Sequence, residues 1–159
     1  LEIITTRTAT IADLDILLDF EQGVIQSERP FDPTIMKDHI HYYDIAGMIK
    51  AENIEVVVAE LNGEVIGSGY ARIEPASKIF FKHKMHAYLG FMYVKPEHRG
   101  KGVNKKVIAT LQQWAIEKGI NEFRLDVYHD NLPAIAAYEK VGFSKLMIEM
   151  RMGVPAEKP

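Results

Sequence analysis

The stretch "IEVVVAEL" (54–61), Asn62-Gly63, "EVIGSGYARI" (64–73) limits what this chain can fold into more than any other segment. Two β-branched and apolar runs flank a dipeptide that accepts the positive φ angles of a two-residue type I′ turn, which matches the right-handed twist of paired strands. An antiparallel hairpin is therefore predicted here, and with it a sheet with antiparallel order at its start. The rest of the chain has to supply strands that extend this hairpin and helices that cover it.

At 159 residues the chain has the length of one domain, and 47% apolar and 26% charged residues are ordinary globular values. A single domain over residues 1–153 is expected, followed by a loose tail, "VPAEKP", over 154–159. The apolar runs are too short to cross a bilayer, so no membrane partner is expected. No secretory leader pattern opens the chain, and the absent initiator Met points to a trimmed N-terminus. With no cysteine there is no disulfide, thiolate metal site or thiol nucleophile, which fits a cytoplasmic location. A formal net charge of −3 argues against a nucleic-acid partner, since phosphate contacts demand a basic face.

Other elements follow from periodicity. "EIITTRT" (2–8) suits a short strand, and Thr10 to Asp13 has the spacing of a capping box. A helix is predicted to follow, with Leu14, Leu17, Leu18, Glu21, Val24 and Ile25 along one stripe, ending before the prolines of "SERPFDP". A second helix is predicted over Thr34 to Met48. "MHAYLGFMYV" reads as a strand. Val103, Val107, Leu111, Trp114 and Ala115 recur at helical spacing up to Gly119. "NEFRLDVYH" alternates as a strand, "NLPAIAAYEKV" is a short helix closing at Gly142, and "FSKLMIEMRM" alternates as a last strand. The predicted class is α/β (α+β): a mixed, largely antiparallel central sheet with helices on both faces.

The turn after the "MYV" strand end, "KPEHRGKGVN" (95–104), joins that strand to the helix predicted from Val103 and carries the chemistry. Unpaired N–H groups at a helix start favour anions, Arg99 and Lys101 add positive charge, and Gly100 and Gly102 let a ligand approach the backbone. A plain solvated turn would explain the glycines equally well. A P-loop fails because Gly102 is followed by Val103, with no Lys-Ser or Lys-Thr pair anywhere. A dinucleotide fingerprint fails because position 105 is Lys rather than Gly.

Arg99-Gly-Lys-Gly-Val-Asn104 after "MYVKPEH", with "NLPAIAAYEKVGF" about thirty residues further on, resembles the GNAT superfamily of acyl-CoA-dependent N-acyltransferases over nearly the whole chain. The resemblance implies the GNAT fold and an acetyl group passed from acetyl-CoA to a primary amine of a small molecule or a protein or peptide by direct attack, without a metal. It implies a pyrophosphate cradle at Arg99, Gly100, Lys101, Gly102, Val103 and Asn104, and a strand end at Met92, Tyr93 and Val94 that offers its backbone to pantetheine. It further implies Asn131 near the pantetheine and Tyr138 as the acid that protonates the departing thiolate. A homodimer is compatible with the family. A non-catalytic acyl-CoA sensor is the alternative, because many relatives carry a Glu about four residues before the terminal Val of this strand, where this chain has Gly90.

The general base is thus unassigned: Glu21, His86, Tyr88 and Glu149 could each reach a site but read rather as ordinary surface or hydrogen-bonded residues, a water chain to solvent would also suffice, and none of the four is taken as catalytic. His39 and His41 would not share a face on the predicted second helix, which argues against a metal pair. "KHKMH" (82–86) reads as a solvated basic loop, and Glu28, Arg29, Phe31 and Asp32 lie where relatives shape the acceptor pocket.

Overall fold

The computed structural model describes residues 2–157, so Lys158 and Pro159 of the expected tail lie outside the described residues. The chain divides into two compact units between Asp126 and Val127. The first holds β1 (Thr5–Thr8), α1 (Leu14–Glu28), α2 (Ile45–Lys50), β2 (Ile54–Leu61), β3 (Glu64–Pro75), β4 (Met85–Val94), α3 (Val103–Glu117) and β5 (Phe123–Arg124). Its sheet order is β1-β2-β3-β4-β5. β1 to β4 pair antiparallel, and β4 pairs parallel with β5.

The hairpin forms where the sequence places it, with Asn62 at φ 51° and Gly63 at φ 78° and Leu61 paired to Glu64. β2 is apolar at successive positions rather than alternately, because helices cover both faces of the sheet. Val56 and Val58 join Leu17, Phe20, Val24, Ile45, Met48, Tyr70 and Phe91 in one core beneath α1 and α2. Val57 and Ala59, both fully buried, turn to the opposite face, where α3 lies. There β3 carries Gly67 and Gly69. A Cβ on Gly67 would stand 2.8 Å from the Tyr93 carbonyl oxygen and 3.0 Å from Val103 Cγ1, and one on Gly69 would stand 2.7 Å from Val107 Cγ1. The missing side chains let α3 approach the sheet and fix where its first turn begins.

α1 begins as the sequence indicates. A short 3-10 turn, Ile11–Asp13, leads into it, and the Thr10 N–H donates to Asp13 Oδ2 at 2.8 Å. The same carboxylate accepts both Nη groups of Arg7 at 2.8 Å, while Arg7 Nε donates to Glu60 at 2.8 Å, so one guanidinium ties β1 to α1 and β2. Among the described residues no helix is long and apolar enough to cross a membrane.

Three expected elements differ. The helix predicted over Thr34 to Met48 is reduced to Ile45–Lys50. Backbone groups that a helix would pair internally are taken by α1 side chains and the residue after them: Gln22 Nε2 donates to the Ile40 carbonyl, Arg29 Nη2 to those of Met36 and Asp38, and the Tyr42 and Tyr43 N–H groups donate to Glu21. The strand expected over 121–129 pairs only at Phe123 and Arg124. In the second unit α4 (Leu132–Lys140) forms, capped by Asn131, whose side chain accepts from the Ala134 N–H, and closed at Gly142 with φ 108°. The strand expected over 143–152 is not formed, and these residues carry no regular secondary structure. Alternation says which side chains would share a face, but a strand also needs a paired neighbour, and no other strand lies among the described residues of this unit.

The Arg7 hydrogen bonds hold the Asp13 carboxyl below the usual carboxylate range, against the opposing effect of burial. A depressed folded-state pKa contributes stability that is present above the unfolded value and lost as pH falls through the folded one. Asp13→Asn is expected to lower unfolding free energy at pH 7 by about 1–3 kcal/mol, with the deficit shrinking below about pH 4. Urea unfolding of both proteins at several pH values measures this, and a deficit that stays constant into acid would contradict it.

Candidate acyl-donor and acceptor site

β4 carries a bulge. Its register against β3 shifts between Ser68, opposite Tyr93, and Tyr70, opposite Gly90, and Phe91 takes a φ of 57°. The carbonyl turned aside there is satisfied by the buried Ser68 hydroxyl, which donates to the Phe91 oxygen at 3.1 Å. On the other edge β4 pairs with β5 only at Ala87 and Tyr88, so within this unit no strand pairs with Leu89 to Val94 on that side.

From Val94 the chain passes through a 3-10 turn, Pro96–His98, to Gly100 at φ 76° and Gly102 at φ 80°. An L side chain in that left-handed region costs on the order of 1–2 kcal/mol. A Cβ at either glycine would meet nothing within 4 Å, so the glycines serve the backbone conformation and leave open space in front of it. Gly102 caps α3 without a side-chain hydrogen bond, and the first bond back to it comes from the Lys106 N–H at 3.2 Å. The N–H groups of Val103, Asn104 and Lys105 thus have no partner in the helix and stand at its positive end. Arg99 Nε donates to the Val94 carbonyl at 3.1 Å, which folds the guanidinium back over the turn. The Asn104 Oδ1 is buried without a hydrogen-bond partner, and Lys101 and Lys105 are exposed. Lys106 is occupied with the Ile4 carbonyl at 2.7 Å. At the rim Glu64, Glu97 and His98 bring ligand atoms within 4.8 Å of one another, with Glu64 already paired to Lys95.

Of the strand-end residues, Tyr93 stacks on Phe20 of α1 with ring centroids 4.7 Å apart and lies across Gly23, where a Cβ would stand 2.4 Å from its ring. Met92 packs on the α3 face, its sulfur over Gly69. The cradle residues Arg99 to Asn104 and the strand end Met92 to Val94 are thus contiguous in one unit. Asn131 and Tyr138 belong to the other, where Asn131 caps α4 and the Tyr138 ring meets Phe143 edge-on at 6.0 Å.

The base candidates separate clearly. His86 is buried, with Nε2 3.0 Å from Glu74. The Tyr88 hydroxyl donates to Asp126 at 3.0 Å, and burial, then the Asp126 charge, push its pKa up. Glu149 is exposed in the second unit. Glu21 is completely buried, accepts the Tyr42 and Tyr43 N–H groups and lies 2.6 Å from His41 Nδ1. A Cβ on Gly90 would stand 2.8 Å from the Tyr70 hydroxyl oxygen, so this phenol fills the space a longer residue at 90 would need. Tyr70 and Tyr88 both lie under the Arg72 guanidinium, at 5.7 and 5.4 Å.

Around the acceptor segment, burial followed by the Asp32 charge raises the Glu28 pKa. Arg29 and Asp32 organise the loop: Asp32 Oδ1 accepts the Thr34 N–H at 2.9 Å. His39 and His41 lie in this loop rather than on a helix, with rings 5.1 Å apart edge-on, and His41 Nδ1 turns to Glu21 instead of toward a shared metal. The basic run 82–86 divides as well, since Lys82 and Lys84 are exposed while His86 is buried. Tyr43, read from sequence only as part of the apolar face of the predicted second helix and not as a site residue, packs 5.1 Å from the Phe91 ring and 5.7 Å from Tyr70. Only its place in an apolar-aromatic run, "IHYYDI", hints at this role.

The chain is similar in sequence to a thialysine N-epsilon-acetyltransferase of Sus scrofa, 42% identical over 55 residues that make up 35% of this chain and 32% of the relative. It is also similar to an aminoglycoside N(6')-acetyltransferase type 1 of Salmonella typhimurium, 26% identical over 128 residues, 80% of this chain and 86% of the relative. The alignment with the thialysine enzyme thus spans only about a third of that protein's length. Among solved structures, a mutant of the BH1408 protein from Bacillus halodurans superposes with a TM-score of 0.84 at 15% identity, covering 95% of this chain and 99% of the other. The aminoglycoside N-acetyltransferase AAC(6')-Iy in complex with CoA superposes with a TM-score of 0.71 at 20% identity, covering 94% and 100%. The family model described as the acetyltransferase (GNAT) family matches residues 19–143, a span from mid-α1 to the residue after Gly142 that takes in the bulged strand and the glycine turn, and the chain belongs to that family.

Proposed function

We propose that the protein is an acetyl-CoA-dependent N-acetyltransferase that acts directly on a primary amine of a small molecule or a protein. The observation that carries this reading is the continuity of the β4 edge, whose pairing with β5 in this unit ends at Tyr88, with the two left-handed glycines and the open first turn of α3. A strand edge that can bond an extended amide-bearing chain leads straight into a cluster of N–H groups suited to phosphates. Pantetheine followed by pyrophosphate has that chemical order. Arg99 and Lys101 supply charge to the phosphates, and Gly100, Gly102, Val103 and Asn104 supply backbone and space. Relatives named for acetylating thialysine and aminoglycosides support an amine acceptor, and the solved neighbour in complex with CoA supports the donor.

In this reading the neutral amine attacks the thioester carbonyl, a β4 N–H near the bulge steadies the oxyanion, and sulfur leaves as a thiolate that takes a proton from Tyr138. Asn131 contributes to the pantetheine site in addition to capping α4. Tyr70, in place of a residue-90 carboxylate, shapes the acceptor side, and burial raises its pKa, which suits a hydrogen-bond donor rather than a base.

Release of free thiol from acetyl-CoA in the presence of a panel of primary amines tests the reading. Binding of acetyl-CoA with no thiol release for any amine would favour a sensing domain instead. Gly102→Glu, which sets a carboxylate against the phosphates and a side chain at positive φ, is expected to abolish CoA binding by calorimetry while circular dichroism stays unchanged. Undiminished affinity would remove the turn from the site. Tyr138→Phe is expected to lower kcat by about 100-fold with little change in acetyl-CoA Kd, and equal turnover would end its role as the acid.

A further inference from the structure

Glu21 of α1 is an acidic side chain at 0% exposure, and burying a carboxylate is costly unless it is fully hydrogen-bonded. Its Oε2 accepts the Tyr42 and Tyr43 N–H groups at 2.9 and 2.8 Å, and its Oε1 lies 2.6 Å from His41 Nδ1. The two backbone bonds anchor the loop. The third goes to an imidazole that is 53% exposed. An ionised carboxylate only accepts hydrogen bonds, so a neutral His41 keeps its proton on Nδ1 and leaves the lone pair on Nε2. A buried carboxylate that fixes the tautomer of an accessible imidazole is the arrangement that prepares a histidine to take up a proton.

The pair also sits beside the bulged strand. Phe20, the residue before Glu21, stacks on Tyr93 at 4.7 Å. Tyr43, two residues after His41, packs on Phe91 at 5.1 Å and takes a hydrogen bond from the Phe91 backbone. These contacts set residues flanking the dyad, one on α1 and one in the loop, against Phe91 and Tyr93 at the bulge, near which the oxyanion is proposed above to be held.

We propose that His41 is the general base of the transfer and that Glu21 is the positioning residue that sets its tautomer; this rests on the N-acetyltransferase reading. The acceptor ammonium gives one proton to His41 Nε2, which passes it to water. The neutral nitrogen forms the N–C bond to the acetyl carbon, and the C–S bond breaks with its electron pair on sulfur. The second proton leaving nitrogen balances the one taken up by the thiolate, so one proton is released per acetyl transferred. The charged and titratable groups facing His41 are Glu21 from α1 and His39 from the loop, whose ring is 5.1 Å away.

The test uses the full chain and an amine acceptor found active in the panel. His41→Gln is expected to lower kcat by about 100-fold with acetyl-CoA Kd unchanged, and to remove the acid limb of the pH–rate profile. Its deficit is expected to shrink above the ammonium pKa, where the acceptor arrives neutral. Glu21→Gln keeps an oxygen for Tyr42 and Tyr43 but turns an amide N–H toward Nδ1, forcing the His41 proton onto Nε2. It should lose activity comparably, and the double variant should be no worse than either single one. Nitrogen-15 NMR of the wild-type histidines provides a measurement that depends on no variant, and the opposite tautomer at His41 would overturn the proposal. So would a His41→Gln enzyme within about threefold of wild-type kcat with the same pH profile, while leaving the N-acetyltransferase reading intact. If the wild type releases thiol with no amine, that reading fails and the base assignment falls with it.

Discussion

The close approach of α3 to the middle of the sheet is the constraint on which the proposed donor site depends. β3 runs between β2 and β4, and at Gly67 and Gly69 it has no side chain to hold the helix away. Val103 and Val107 settle into that space, so the first turn of α3 starts immediately beyond the end of β4. The intervening turn must reverse direction in a few residues, which is why two of its positions are left-handed. Helix packing and the open glycine turn are thus one geometric solution, since the positive φ angles that close the turn fall at residues whose missing side chains leave open space.

The opposite face is governed by a different interaction. Glu21 buries a carboxyl group and offsets the cost with two backbone N–H groups and one imidazole. Losing a partner of such a buried group typically costs about 3–5 kcal/mol, so the carboxylate dictates the path of the loop it binds. The connection from Arg29 to Asp44 consequently has a defined course without a helix of its own. Arg29 and Gln22 complete the arrangement by taking carbonyls that a helix would have used internally.

Legibility in the sequence followed the range of the interactions. The hairpin, α1, β4, α3 and α4 rest on local features: an Asn-Gly turn, a carboxylate three residues after Thr10, helical spacing of apolar residues, and glycines past helix ends. The loop over 34–44 was mistaken for helix because its apolar residues happen to recur at helical spacing, while the donors and acceptor that claim its backbone lie up to about twenty residues earlier. The final alternating segment shows the converse. Its pattern is that of a strand, but pattern alone supplies no neighbour for its backbone.

By itself the sequence determined the hairpin-centred, mostly antiparallel sheet, the helix-start anion turn and the GNAT resemblance, because each is written in residues close together in the chain. Tertiary structure alone decided that Tyr70 occupies the space beside Gly90, that the pairing of β4 with β5 stops at Tyr88, and that Glu21 grips His41. Each of these joins residues distant in sequence, and burial, which gives a carboxylate or a phenol its chemical meaning, exists only once the chain has packed.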